Sequence, residues 1–82
     1  MVHDLKIEQN YLENLISGIK KVEIRVNDRD YQKGDLLRFI EHIGIDGSEN
    51  IEHLFEITHI HSGLGMKENY VALSVIKISP ED

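Results

Sequence analysis

The six residues from Lys21 to Val26 alternate strictly between charged and β-branched side chains, in the order Lys, Val, Glu, Ile, Arg, Val. Successive side chains of a β-strand point to opposite faces, so this pattern predicts a strand with one apolar and one polar face. We expect the valine and isoleucine side chains to contact the core. The charged side chains are then either solvated or line a cleft.

One helix and four further strands are predicted along the rest of the chain. Residues 9–17 predict a short helix, because four of their apolar side chains form one stripe, and Gly18 follows as a C-terminal stop. We expect a bulge near Thr58, where the apolar phase of a predicted strand changes. The other predicted strands are 2–7, 36–42, 51–61 and 70–78, with turns or loops at 27–30, 33–35, 46–47 and 62–69 and a polar tail at 80–82.

These elements predict a single domain over residues 1–82, of mainly β (α+β) class. A small mixed β-barrel of five to six strands, with one helix after the first strand, is the economical arrangement because closure removes exposed strand edges. A ferredoxin-like sandwich is the alternative. It requires a second helix, and the glycine-containing segment 62–69 is too short to supply a good one.

Composition narrows the classes of function. The net charge of −6 argues against a non-specific polyanion binder, although residues 20–38 carry six basic and only four acidic side chains. The chain has no cysteine, which excludes disulfides and thiolate metal sites and fits a reducing, cytoplasmic location. No apolar run approaches the roughly 20 residues of a membrane span, and we expect no secretion peptide.

Gly18 begins the string G-x-K-x-x-E-x-R, at the point where the predicted helix passes into the alternating strand. Lys20 lies at the strand entrance, and Glu23 and Arg25 project from one strand face within about 7 Å of each other. Such a trio can hold phosphate through Lys20 and Arg25 and a base edge through Glu23. The alternative is an ion-paired surface ladder with no function.

This string resembles the signature of the ASCH domain, a group of PUA-like β-barrels. The run 23–29, followed by Gly34 and Asp35, resembles a compact bacterial and phage subfamily that is catalogued as a domain of unknown function. Residues 3–7 and 70–74 are similar to that subfamily as well. The resemblance implies a barrel with a cleft beside the helix and a role in RNA binding or RNA-linked regulation. We expect turn residues at Gly18 and Gly34, and ligand-binding residues at Lys20, Lys21, Glu23, Arg25, Asn27 and Arg29.

The sequence therefore predicts a module that binds a nucleotide or single-stranded RNA, and leaves two alternatives open. One is a small hydrolase of modified nucleosides or single-stranded RNA, either an amidohydrolase or a ribonuclease, with Lys20 and Glu23 as its catalytic residues. In the ASCH-like amidohydrolases of acylated cytidine, the resemblance implies a threonine where this chain has Glu23, so the expected hydroxyl is missing here. Thr58 could contribute a hydroxyl from another strand, but the sequence does not place it there. The other alternative is a coactivator-like protein-interaction domain that uses the acidic surface outside residues 20–38.

Three histidines fall on one predicted strand, and two of them, His59 and His61, have a spacing that can serve a metal ion. A metal site needs a third ligand, which the sequence does not obviously supply. We therefore expect no metal site and no cofactor, and we expect Lys33 and Arg38 to be ordinary surface charges.

Overall fold

The computed structural model describes residues 1–78 as one five-stranded sheet with a single helix. Residues 79–82, which include the predicted polar tail of Pro80, Glu81 and Asp82, lie outside the described residues. No helix within residues 1–78 is long and apolar enough to cross a membrane. The elements are β1 (Val2–Asp4), α1 (Gln9–Ser17), β2 (Val22–Val26), β3 (Leu36–Ile43), β4 (Glu49–His61) and β5 (Tyr70–Ile78).

The strands lie in the order β1-β3-β4-β5-β2. The β1–β3 pair is parallel, and the other three pairs are antiparallel. The mainly β class, the five strands and the helix after the first strand are thus confirmed. Within residues 1–78 no pairing joins the two edge strands β1 and β2, so the sheet is open rather than closed on itself.

Several ends of the helix and the strands lie where the sequence predicted them. The helix and β5 have the predicted bounds, and Gly18 ends the helix in the left-handed conformation with φ 84°. The bulge predicted near Thr58 is confirmed, because the β4–β5 register shifts between Ile57 and His59. The first strand is shorter than predicted and ends at Asp4.

The core lies between α1 and the inner face of the sheet. Leu12 and Leu15 on the helix join the sheet side chains in one buried cluster, in which Phe39 and Phe55 meet edge to face at 5.9 Å. Burial of each such side chain contributes about 1.5–3 kcal/mol. Segment 36–42 has apolar residues on both faces, which predicts a strand buried on two sides, but Ile40 is 42% exposed, so β3 buries only its inner face.

Strand β2 has the orientation opposite to the predicted one. Glu23 pairs with Leu73 of β5, a fully buried residue, and directly opposed residues of an antiparallel pair lie on the same face of the sheet. Glu23 and the neighbouring Arg25 are therefore on the inner face, and Glu23 is only 4% exposed. The predicted contact of the apolar face with the core is wrong, because the register with β5 decides which face is buried. The outward side chains are Val22, Ile24 and Val26, which are 38%, 58% and 45% exposed.

Candidate functional site

Glu23 lies between two cations on the inner face of β2. Lys20 Nζ donates to Glu23 Oε1 at 2.5 Å, and Arg25 Nε donates to Glu23 Oε2 at 2.9 Å. The side chains of Lys20 and Arg25 are 27% and 22% exposed, so the group is sheltered from water. A buried carboxylate is costly unless it is paired, and here both of its oxygens accept charge-assisted hydrogen bonds. We call these three residues the charged triad.

Further contacts fix both cations of the charged triad. Arg25 Nη2 donates to the Lys6 carbonyl at 2.6 Å, and its guanidinium lies 5.9 Å from the Phe39 ring centre. Lys20 Nζ lies 4.8 Å from the ring centre of Tyr11, within the range of cation–π attraction. Each cation keeps N–H groups that these contacts do not use, since an ammonium has three donors and a guanidinium five.

The charged triad lines a cavity of about 680 Å³, which we call the β2 cavity. This volume is within the range that accommodates small ligands, roughly 300–1,000 Å³. The chain has three tyrosines, and all three line the β2 cavity. The lining residues are Lys6, Ile7, Glu8, Tyr11, Lys20, Glu23, Ile24, Arg25, Val26, Asp28, Arg29, Tyr31 and Tyr70.

The β2 cavity is locally positive on an acidic protein. Four basic and three acidic residues line it, whereas the whole chain has a net charge of −6. Arg29 has a 44% exposed side chain and lies 3.9 Å from Asp28, a contact too long and exposed to hold it firmly. Its guanidinium is therefore available to a ligand.

The structure brings four of the six predicted ligand-binding residues together. Lys20, Glu23, Arg25 and Arg29 all line the β2 cavity. Lys21 instead lines a smaller cavity of about 260 Å³ beside the end of α1.

Asn27 is also placed elsewhere, in a third cavity of about 270 Å³. Its Oδ1 accepts the backbone N–H of Tyr31 at 3.4 Å, so it stabilises the 27–31 loop. The predicted turn residues Gly18 and Gly34 both have positive φ, 84° and 94°. Glycine adopts that conformation without strain.

The tyrosines, most clearly Tyr31, were not predicted from the sequence as part of the site. Tyr31 is 5% exposed, and burial raises the pKa of its phenol, an effect that the charge of Arg25 opposes. Its ring meets His3 edge-on at 4.8 Å, and His3 Nε2 is hydrogen-bonded to Asp35 Oδ2 at 2.8 Å. The sequence feature that could have indicated its role is that Tyr31 is the one aromatic residue in the otherwise polar segment 27–35.

The threonine considered for catalysis and the histidines considered for metal binding lie outside the β2 cavity. Thr58 Oγ1 donates to the Ser74 carbonyl at 3.2 Å, and Thr58 is not among the lining residues. His53 Nε2 is hydrogen-bonded to Glu41, and His61 Nε2 to the Leu64 carbonyl. Among residues 1–78 no three histidine, cysteine, aspartate or glutamate side chains are placed to share a metal ion.

A family model for a domain of unknown function, DUF3850, matches residues 2–75, which include the charged triad and all three tyrosines. The chain belongs to the DUF3850 family. One similar protein is described as an uncharacterized 12.9 kDa protein in the GpA 3' region of Escherichia phage P2. It is 30% identical over 74 residues, which cover 88% of the DUF3850 chain and 65% of the phage protein. The chain thus spans about two thirds of that relative's length.

Proposed function

We propose that the β2 cavity binds a nucleotide or a short single-stranded RNA. The observation that carries this proposal is the convergence of every tyrosine of the chain with Lys20, Arg25 and Arg29 around one cavity. Aromatic rings provide stacking surfaces for bases, and lysine and arginine bind phosphate. A nucleotide combines a flat aromatic base with an anionic phosphate.

The residues take different roles in this proposal. Lys20 and Arg25 bind phosphate with the N–H groups that the charged triad leaves free. Arg29, which is loosely held, closes over the phosphate from the 27–31 loop. Tyr11 has 47% of its surface exposed and offers its ring to a base. Glu23 acts as a positioning residue, because both of its oxygens already hold the two cations.

The geometry favours binding over hydrolysis. A general base needs a carboxylate oxygen within hydrogen-bond reach of the proton that it removes. Glu23 would have to release Lys20 or Arg25 before it could do so. Kinship with PUA-like barrels is likewise part of this proposal, and the helix after β1 and the cavity beside that helix support it. We also propose a cytoplasmic location, which the absence of cysteine supports.

A triple substitution tests the function without leaving a buried charge unpaired. Lys20→Met, Glu23→Leu and Arg25→Met together replace the charged triad by apolar side chains of similar size, an exchange that proteins often tolerate. We expect fluorescence polarisation with labelled 6-mer single-stranded RNAs (a length of about one single-strand binding site) to show binding by the wild type. The triple variant should bind about tenfold or more weakly.

Lys33→Met is the matched control, because it removes one exposed cation that does not line the β2 cavity. It should bind the RNAs as the wild type does. Circular dichroism confirms that each variant is folded. Equal affinity of the wild type and a folded triple variant would refute the assignment of the site. A wild type that binds neither these RNAs nor the nucleoside 5'-monophosphates would refute the function.

A further inference from the structure

The outer edge of β2 has main-chain groups that no other strand within residues 1–78 uses. The Lys21 carbonyl accepts from Val75 N at 3.1 Å, and Asn27 N donates to the Asn69 carbonyl at 2.7 Å. In an antiparallel ladder, hydrogen-bonded and non-hydrogen-bonded pairs alternate. The odd-numbered residues of β2 therefore bond to β5. The N–H and C=O groups of Val22, Ile24 and Val26 point away from β5.

This open edge borders the β2 cavity. Four consecutive residues, 23–26, line the cavity, although successive side chains of a strand point to opposite faces. Only a cavity that runs along the edge of the strand can contact all four. Lys6, Ile7 and Glu8, which follow β1, line the cavity as well. The cavity thus occupies the gap between β2 and the segment that follows β1.

Ile24 is the residue of β2 that offers both a free N–H and a free C=O to this gap. The Val26 carbonyl is already bonded to the N–H of Asp28 at 2.9 Å. Val22 does not line the cavity. Within residues 1–78, the Ile24 N–H and C=O have no hydrogen-bond partner. One donor and one acceptor, side by side on an extended strand, are therefore presented to any ligand in the cavity.

We propose that the main chain of Ile24 hydrogen-bonds to the pairing edge of the ligand's base. The Ile24 N–H donates to an acceptor of the base, and the Ile24 carbonyl accepts from the adjacent base N–H. Each standard base offers such an acceptor next to a donor on its pairing edge. This inference rests on the proposed function and narrows it: the ligand is a nucleotide whose base is unpaired and unmodified on that edge.

An extended peptide is the other occupant that an open strand edge can take, by adding a further strand. The cations and the three tyrosines of the cavity favour the nucleotide, because strand addition uses main-chain groups and needs neither. The peptide is therefore an outcome that the experiment must be able to detect.

The first test is a titration of ¹⁵N-labelled protein, followed by NMR. The ligands are the four nucleoside 5'-monophosphates, each compared with its derivative methylated on the pairing edge. We expect the Ile24 amide proton to move downfield with the parent nucleotides. The methylated derivatives should bind about tenfold more weakly, the loss expected for a blocked hydrogen bond.

The second test removes the donor itself. Ile24→Pro deletes the outward N–H without removing a bond to β5. Proline is tolerated on an edge strand at a position where the N–H of another residue would face outward. Val22→Pro is the matched control, since it deletes the same kind of N–H outside the cavity. We expect about tenfold weaker nucleotide binding for Ile24→Pro. Val22→Pro should bind as the wild type does.

The outcomes separate this inference from the proposed function. Equal binding of parent and methylated nucleotides, with an unmoved Ile24 amide, overturns the inference and leaves the function standing. A wild type that binds no nucleotide or RNA overturns both. An Ile24 amide that moves with a valine-rich extended peptide but with no nucleotide assigns the edge to peptides and also overturns the inference. If the proline variants do not fold, the amide shift and the methylated nucleotides still decide.

Discussion

Arg25 Nε donates to Glu23 Oε2 at 2.9 Å, although the two residues lie only two positions apart on the same strand. Residues at that spacing on a strand are about 7 Å apart along the chain, so the two side chains must lean toward each other. The Lys6 carbonyl holds the far end of Arg25. The cation is therefore oriented before a ligand arrives, which lowers the entropy cost of binding.

Loss of the central carboxylate should destabilise the fold. Glu23→Leu leaves Lys20 and Arg25 close together and sheltered without their shared counter-charge, so we expect the free energy of unfolding to fall by about 3 kcal/mol. Glu23→Gln should cost less, because the amide oxygen still accepts a hydrogen bond. Urea denaturation measures both changes. Glu68→Gln, at an exposed loop position, is the control, and its free energy of unfolding should stay within about 0.5 kcal/mol of the wild type. A Glu23→Leu variant as stable as the wild type would contradict the prediction.

The buried pair of His3 and Asp35 predicts a specific response to acid. The hydrogen bond from His3 holds the pKa of Asp35 below its ordinary value of 3.8, although burial acts in the opposite direction. A carboxyl with a lowered pKa stabilises the fold above that ordinary value, and this contribution is lost as the pH falls through the lowered pKa.

Asp35→Asn should therefore be less stable than the wild type at pH 7, by about 1–3 kcal/mol. The difference should shrink as the pH falls below the ordinary aspartate value of 3.8. Urea denaturation at a series of pH values measures it. A difference that stays constant down to acid pH would show that the charge of Asp35 does not contribute.

The exposed ring of Tyr11 should contribute to affinity more than to stability. Tyr11→Leu removes the aromatic face, and stacking of a base on such a face is worth about 1–3 kcal/mol, so we expect RNA binding to weaken about 5- to 150-fold. Tyr11→Phe keeps the face and should bind almost as the wild type does. Fluorescence polarisation gives both affinities. Equal losses in the two variants would indicate that the hydroxyl, rather than stacking, matters.

Binding at this site should depend only weakly on salt. One excess cation lines the β2 cavity, which suits one or two phosphates rather than a long strand. Each phosphate contact of a single strand contributes about −0.7 to the slope of log K against log salt concentration, so we expect a slope of about −0.7 to −1.4. A slope of about −4 or steeper would place binding on a broad surface instead.

The reversed orientation of β2 can be tested with two valines. Val22 points outward and is 38% exposed, whereas Val71 on the neighbouring strand points inward and is 3% exposed. Val22→Thr should change the free energy of unfolding by less than about 0.5 kcal/mol. Val71→Thr should lower it by about 1–3 kcal/mol, because its hydroxyl is buried. The opposite ranking would restore the orientation predicted from sequence.

Features that depend on a few neighbouring residues were predictable from the sequence. The helix ends at Gly18 because glycine adopts positive φ without strain. In β5, Val71, Leu73 and Val75 alternate with less buried residues. The bulge was visible as a break in the apolar phase of β4. The prediction that three charged side chains lie close together, those of Lys20, Glu23 and Arg25, was correct. Their closeness follows from the spacing within one turn and one strand.

Features that depend on distant residues were not predictable in the same way. The alternation of β2 fixes which side chains share a face but not which face is buried, and the register with Leu73 decides that. The β2 cavity gathers Tyr11, Tyr31 and Tyr70 from a helix, a loop and a strand, and a single sequence contains no sign of their convergence. The open gap between β1 and β2 is likewise a property of the whole sheet.

The bulge at Thr58 also has a consequence for the shape of the β2 cavity. The ladder is regular on both sides of it, with Ile57 opposite Val75 and His59 opposite Ser74, so Thr58 is an extra residue that adds bend without changing the pairing. Deletion of that single codon would leave every partner in place and flatten the sheet. We expect the edge strand β2 then to lie farther from residues 6–8. We therefore expect Thr58, which does not line the β2 cavity, to influence its width.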